Sequence, residues 1–167
     1  IGAPGTVTNN LIYDCGHEGI GIPSEAGSPT ISHNVVFHSA VGIFTHASPL
    51  IDHNLLLDND RGICIHGGSA AIRDNLIASP KGAPHDWTYG AFAYEAFVPH
   101  GRRANTRGIE VRDSSPTIAG NIVGGHPVNI ELFGNCSLTI DSNGILDGGR
   151  GILFREFTGN ALILSLI

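Results

Sequence analysis

Apolar residues in this chain fall in short runs that recur about every 21 residues, each bracketed by Asn, Gly or Ser-Pro. Asn34-Val35-Val36, Asn54-Leu55-Leu56, Asn75-Leu76-Ile77 and Asn121-Ile122-Val123 share one pattern, and Asn10-Leu11-Ile12 begins it. An aliphatic residue stands three places before each asparagine, giving a column of Val7, Ile31, Ile51, Ile72, Ile118 and, before Asn143, Ile140. A Gly-Ile-x-aliphatic signature follows at Gly19, Gly42, Gly62, Gly108 and Gly151, with Asn129-Ile130 taking the place once. Ser-Pro or its relic opens successive units at Ser28, Ser48, Ser69, Ser115 and Ser137. An amphipathic helix is excluded, because Gly and Pro would break it every few residues and the apolar positions do not recur at 3.6. A leucine-rich repeat is excluded too, since it needs leucines at two-residue steps and a helical return.

The pattern predicts three short parallel strands per unit, stacked as a solenoid whose coils share one core. The second inward column reads Ile12, Val36, Leu56, Ile77, Val123, Ile145, and the third Ile20, Ile43, Ile63, Ile109, Ile130, Ile152. β-Branched residues dominate both, as suits a stacked pleated surface. The asparagines are expected to form a ladder at the strand spacing of about 4.8 Å. The glycine before each Ile suits a positive φ or a close approach between coils. Six asparagine-bearing coils result, and the tail fits a seventh with Leu162 in the aliphatic column and Ile167 last.

The Ser-Pro-x-Ile-x-x-Asn and Gly-Ile-x-Ile segments resemble the short repeats of right-handed parallel β-helix proteins of the pectin-lyase-like superfamily. The resemblance covers nearly everything outside residues 79–106. It implies an all-β, right-handed parallel β-helix of about six to seven coils, with 79–106 as a loop insertion in a single domain over 1–167. It also implies an extracellular or cell-surface protein, often one acting on polysaccharide. The matched residues are core and turn positions, so the motif speaks to fold and not to activity.

Composition narrows the partners. Nine basic against fifteen acidic side chains leave a net charge of −6, the opposite of what a nucleic-acid or anionic-membrane partner requires. No apolar run reaches the length of a membrane span. The chain lacks an initiator Met and opens in mid-pattern, as expected of a trimmed product or a piece of a longer chain. Three cysteines, Cys15, Cys64 and Cys136, sit at different pattern positions and are expected to be free thiols. Asn135-Cys136-Ser137 matches the glycosylation acceptor pattern.

Candidate chemistry lies on outward columns. Glu110 and Glu131 fall in one such column on adjacent coils, with Arg107, Arg112 and His126 nearby in the pattern. Two carboxylates about 5 Å apart can raise one pKa, and their separation is near that of retaining glycosidases, so this pair is the catalytic candidate. The bland alternative is an exposed salt-bridge surface. In the insertion, Trp87, Tyr89, Tyr94, His100 and Arg102 could form a sugar-stacking platform or pack as an interface. His33 with His53, and His46 with His66, are expected to stack between coils, and Asp14, Asp58, Asp60 and Asp147 to lie near one turn. No zinc-type spacing or calcium nonapeptide occurs, so neither a metal nor a cofactor is expected.

Two functional classes remain. In the first, the chain is a structural subunit that self-associates end to end into a filament, with Leu162, Leu164, Leu166 and Ile167 at the junction. In the second, it is a polysaccharide lyase, hydrolase or epimerase, or a carbohydrate-binding module, using the groove beside the insertion.

Overall fold

The computed structural model describes residues 5–79 and 106–164. Within them the chain winds through three parallel sheets in turn, completing six coils and the first strand of a seventh. Sheet 1 contains β1 (Thr6–Thr8), β4 (Thr30–Ser32), β7 (Leu50–Asp52), β10 (Ala71–Arg73), β13 (Thr117–Ala119), β16 (Ser137–Asp141) and β19 (Asn160–Leu164). Sheet 2 contains β2 (Leu11–Tyr13), β5 (Val35–Phe37), β8 (Leu55–Leu57), β11 (Leu76–Ala78), β14 (Ile122–Gly124) and β17 (Gly144–Leu146). Sheet 3 contains β3 (Glu18–Ile22), β6 (Val41–Thr45), β9 (Arg61–His66), β12 (Arg107–Arg112), β15 (Val128–Phe133) and β18 (Arg150–Arg155). The described residues hold no α-helix, and none of the elements is a helix long and apolar enough to cross a membrane.

Register follows the three columns. Ile31, Ile51, Ile72, Ile118 and Ile140 are consecutive partners in sheet 1, and Val36, Leu56, Ile77 and Val123 in sheet 2. Ile43, Ile63, Ile109 and Ile130 do the same in sheet 3. All are buried in one continuous core. A single strand buries too little to hold itself, so this shared interior is what fixes each coil on the next.

The asparagine ladder stands at the turn between sheets 1 and 2. Asn10, Asn34, Asn54, Asn75, Asn121 and Asn143 each lie one coil from the next, and each Nδ2 donates to the following Oδ1 at 2.9–3.0 Å. The same amides donate to carbonyls of their own turn, and from Asn34 onward of the neighbouring coil, as Asn75 does to Arg73 and Ile51. Buried turn groups that lack a strand partner are thereby satisfied. The residue before each ladder asparagine takes a left-handed conformation: Asn9, His33, His53, Asp74, Gly120 and Ser142 have φ between 51° and 66°. Asn, Asp, His, Ser and Gly recur there because β-branched residues cannot adopt this region without strain.

Gly19, Gly42, Gly62 and Gly108, before the third column, serve close approach, not positive φ. A Cβ on Gly42 would lie 2.6 Å from the Gly62 carbonyl oxygen, and one on Gly62 2.6 Å from that of Gly108. A side chain at either position would push the coils apart.

The tail corrects one expectation. Ile163, not Leu162, partners Ile140, while Leu162 lies beside Thr139 and points away from the core. Leu164 shares that outward direction, and Leu166 and Ile167 lie outside the described residues. Residues 80–105 also lie outside them, including Trp87, Tyr89, Tyr94, His100 and Arg102.

Candidate functional site

The outer face of sheet 3 gathers most of the charged side chains that meet one another. Strand alternation places Ile109 and Val111 of β12 in the core and Glu110 between them on the opposite face. In β15 the same alternation turns Glu131 outward, and the two glutamates are direct register partners one strand spacing apart.

They are not exposed. Each is 3 % accessible, because four long arginine side chains from three coils close over them. Glu110 Oε2 meets Arg61 Nε at 3.4 Å and Arg107 Nε at 3.7 Å; its Oε1 meets His66 Nε2 and Arg112 Nη2, both at 3.3 Å. Glu131 pairs with Arg107 through Oε2 and with Arg155 Nε at 3.3 Å through Oε1. The Arg112 guanidinium sits 4.5 Å over the Phe133 ring, a cation–π contact that fixes its plane. Arg107 is buried between the carboxylates, whereas Arg61, Arg112 and Arg155 remain about half exposed.

This environment sets the protonation states. Burial alone would raise the Glu110 carboxyl, but Arg61, the His66 hydrogen bond, Arg112 and Arg107 together outweigh it and hold it below the usual carboxylate range. The sequence suggests that proximity would raise one carboxyl of the pair; for Glu110 the arginines reverse that direction. Burial opposes the charge of Arg107 as well, yet its hydrogen bond to Glu131 and the two carboxylates hold the guanidinium more firmly charged than usual. Cys64, the register partner of Glu110 in β9, is fully buried, and burial together with the Glu110 charge pushes its thiol up to about 12. Such a thiol stays protonated at neutral pH and is not an activated nucleophile. Chemically, the face sets an ionised Glu110 beneath an excess of arginine, which suits holding an anion better than donating a proton from that carboxyl.

The family model for the right handed beta helix region matches residues 2–78. With the parallel coils already described, this decides both fold and hand. The chain forms a right-handed β-helix. No curated protein and no solved structure matches it.

Other sequence candidates distribute around the β-helix. His126 does not join the glutamates: it is buried in the turn between β14 and β15, neither ring nitrogen has a hydrogen-bond partner, and burial lowers its pKa to about 4. His33 and His53 stack with ring centroids 5.4 Å apart, and His46 and His66 meet edge-on at 5.9 Å. Asp14, His38, Asp58 and Asp147 hold left-handed turn positions after sheet 2. The three cysteines are free, and Asn135 of the acceptor pattern is exposed beside buried Cys136.

Two features escaped the sequence. Asp52, His53 and Asp74 bring one ligand atom each within 4.8 Å of one another, although Asp52 is already held by Arg73 at 3.0 Å and His53 at 2.8 Å. Arg61 and Arg155 reach the glutamates from neighbouring coils; their signal was register, Arg61 falling in the column of Arg107 and Arg155 in that of Arg112.

Proposed function

We propose that this β-helix is a structural subunit of an extracellular or cell-surface assembly, stacking end to end through its open strand edges. The observation that carries the reading is at the two margins of the described coils. There β1, β2 and β3, and β17, β18 and β19, each have a partner on one side only. Core positions that are sealed in the middle coils open there: Ile145 and Ile152 are part-exposed and Ile163 is 39 % exposed. Parallel edges with exposed apolar ends template the addition of another coil. The junction therefore rests on inward Ile145, Ile152 and Ile163 and on strand edges, with Leu162 and Leu164 flanking it on the outer face of sheet 1. Ile152→Lys with Ile163→Lys should abolish assembly of the 167-residue chain in sedimentation velocity while far-UV circular dichroism keeps the β signature. Assembly unchanged in that variant would contradict end-to-end stacking.

A second reading, carbohydrate binding, is favoured by the arginines of sheet 3. Two carboxylates neutralise at most two of Arg61, Arg107, Arg112 and Arg155, and the three half-exposed guanidinia stand ready for the carboxylates of an acidic polysaccharide. Arg61→Ala and Arg112→Ala should each weaken binding of an oligouronate by about tenfold in calorimetry, the loss of one charge-assisted contact. Neutral glycans should not bind. Absence of uronate binding in the parent chain would remove this reading, and turnover lost in Glu110→Gln and Glu131→Gln with binding retained would make the face catalytic.

A further inference from the structure

The three outer faces of the β-helix differ in kind. Sheet 1 alternates its inward aliphatics with Thr6, Asp52, Arg73 and Asp141, and sheet 3 carries the arginine–glutamate cluster. Sheet 2 is unlike both. All eighteen residues of its six strands are apolar or glycine, the Tyr13 hydroxyl being its one polar side-chain group. Alternation turns the middle residue of each strand inward and leaves the outer two facing away from the core. Leu11, Tyr13, Leu76, Ile122 and Leu146 are accordingly 65 %, 54 %, 40 %, 48 % and 53 % exposed. The Tyr13 and Phe37 rings stack at 5.2 Å and extend the face as a flat aromatic step.

We infer that this face docks a second copy of the chain, side by side, through sheet-on-sheet packing. Such a contact is lateral and separate from the end-to-end junction proposed above.

Area and charge both point to that occupant. Six strands about 4.8 Å apart and three residues at about 3.3 Å each give a flat footprint of about 300 Å². With side-chain relief that becomes about 500 Å² per copy, so a pair removes about 1,000 Å², the threshold of a specific interface. One copy alone would leave bare a patch at the upper end of what soluble monomers tolerate. Two chains of net charge −6 repel, and sheet 2 is the face that sets no charged strand residue between them. Both partners also repeat at the same strand spacing, so the ridges of one sheet meet the grooves of its twin along the full stack.

The test separates the face from the ends. In the Ile152→Lys/Ile163→Lys background, which removes end stacking, sedimentation velocity should show reversible dimers with a midpoint on the order of 10–100 μM, as a contact of this size allows. Adding Leu76→Lys and Ile122→Lys should return the chain to monomer at every concentration. Labelling gives a readout that needs no charged substitution. Maleimide modification of Leu76→Cys should slow with rising protein concentration, while Thr117→Cys on exposed sheet 1 should not. A monomer at 200 μM in the background variant would overturn the proposal, and so would dimers that survive the two lysines. Protection of Leu76→Cys that ignores concentration would mean that another part of the same chain covers the face, which also overturns it.

Discussion

Asn75→Ala is expected to destabilise the protein by about 4 kcal/mol, a loss large enough to unfold many domains of this size. Asn75 is buried, and its side chain makes five hydrogen-bond contacts. Its Nδ2 donates to the carbonyls of Ile51 at 3.0 Å and Arg73 at 2.9 Å and to Asn121 Oδ1 at 2.9 Å. Its Oδ1 accepts from the Asn54 backbone N–H at 2.8 Å and from Asn54 Nδ2 at 2.9 Å. Alanine leaves these groups dry and unpartnered, at about 1–3 kcal/mol for each one not rescued by water. Position in the stack sets the size of the effect. Asn10 stands at the exposed start of the ladder, so Asn10→Ala should cost under about 1 kcal/mol. Asn75→Asp keeps the acceptor but loses the donors, and belongs near the alanine value. Urea midpoints of the three variants check this; equal, small losses at Asn75 and Asn10 would mean that the ladder is not what ties the coils together.

The second large effect is an acid transition centred on His126. Burial holds its imidazole neutral in the folded chain, with a pKa of about 4 against 6.5 when exposed. A base depressed in this way favours the fold fully above the unfolded value and loses that contribution as pH falls, because the unfolded chain then binds the proton that the folded chain refuses. The window therefore runs from about pH 6.5 to about pH 4, and its full depth is about 3 kcal/mol. His126→Leu keeps an apolar volume at a site where neither ring nitrogen is bonded, and should flatten stability across that window without lowering it at neutral pH. Glu110 adds a separate loss below about pH 4.5, since its carboxyl is held ionised and its stabilisation disappears as pH falls through the lowered folded value. A parent chain whose urea midpoint does not change between pH 6.5 and 4 would refute a buried neutral His126.

The columns of Ile31, Val36 and Ile43 were legible because three signals recur in step at every coil, and stacking requires exactly such repetition of size and polarity. The ladder was legible for the same reason. What the sequence hid depended on orientation within a coil. The period puts Leu162 in the aliphatic column, but β19 pairs over five residues with β16, and one step of register exchanges the inward and outward sides. The Glu110–Glu131 pairing was readable from period alone, while its burial was not, because it arises from Arg61 and Arg155 reaching over from other coils. The apolar outer face of sheet 2 was visible as runs such as Leu55-Leu56-Leu57, where an inward residue is flanked by apolar neighbours that alternation must turn away from the core. Side chains decide such things by where they point, and spacing constrains that only when both faces of a strand differ in polarity.

The central claim is that these coils continue from one copy into the next. Electron microscopy of the 167-residue chain at about 50 μM tests it most directly. Six coils and one further strand at about 4.8 Å set an axial repeat of about 30 Å per copy. The account predicts unbranched filaments with that repeat and an unbroken strand-spacing reflection along the axis. Separate particles no longer than one copy, across the accessible concentration range, would contradict it.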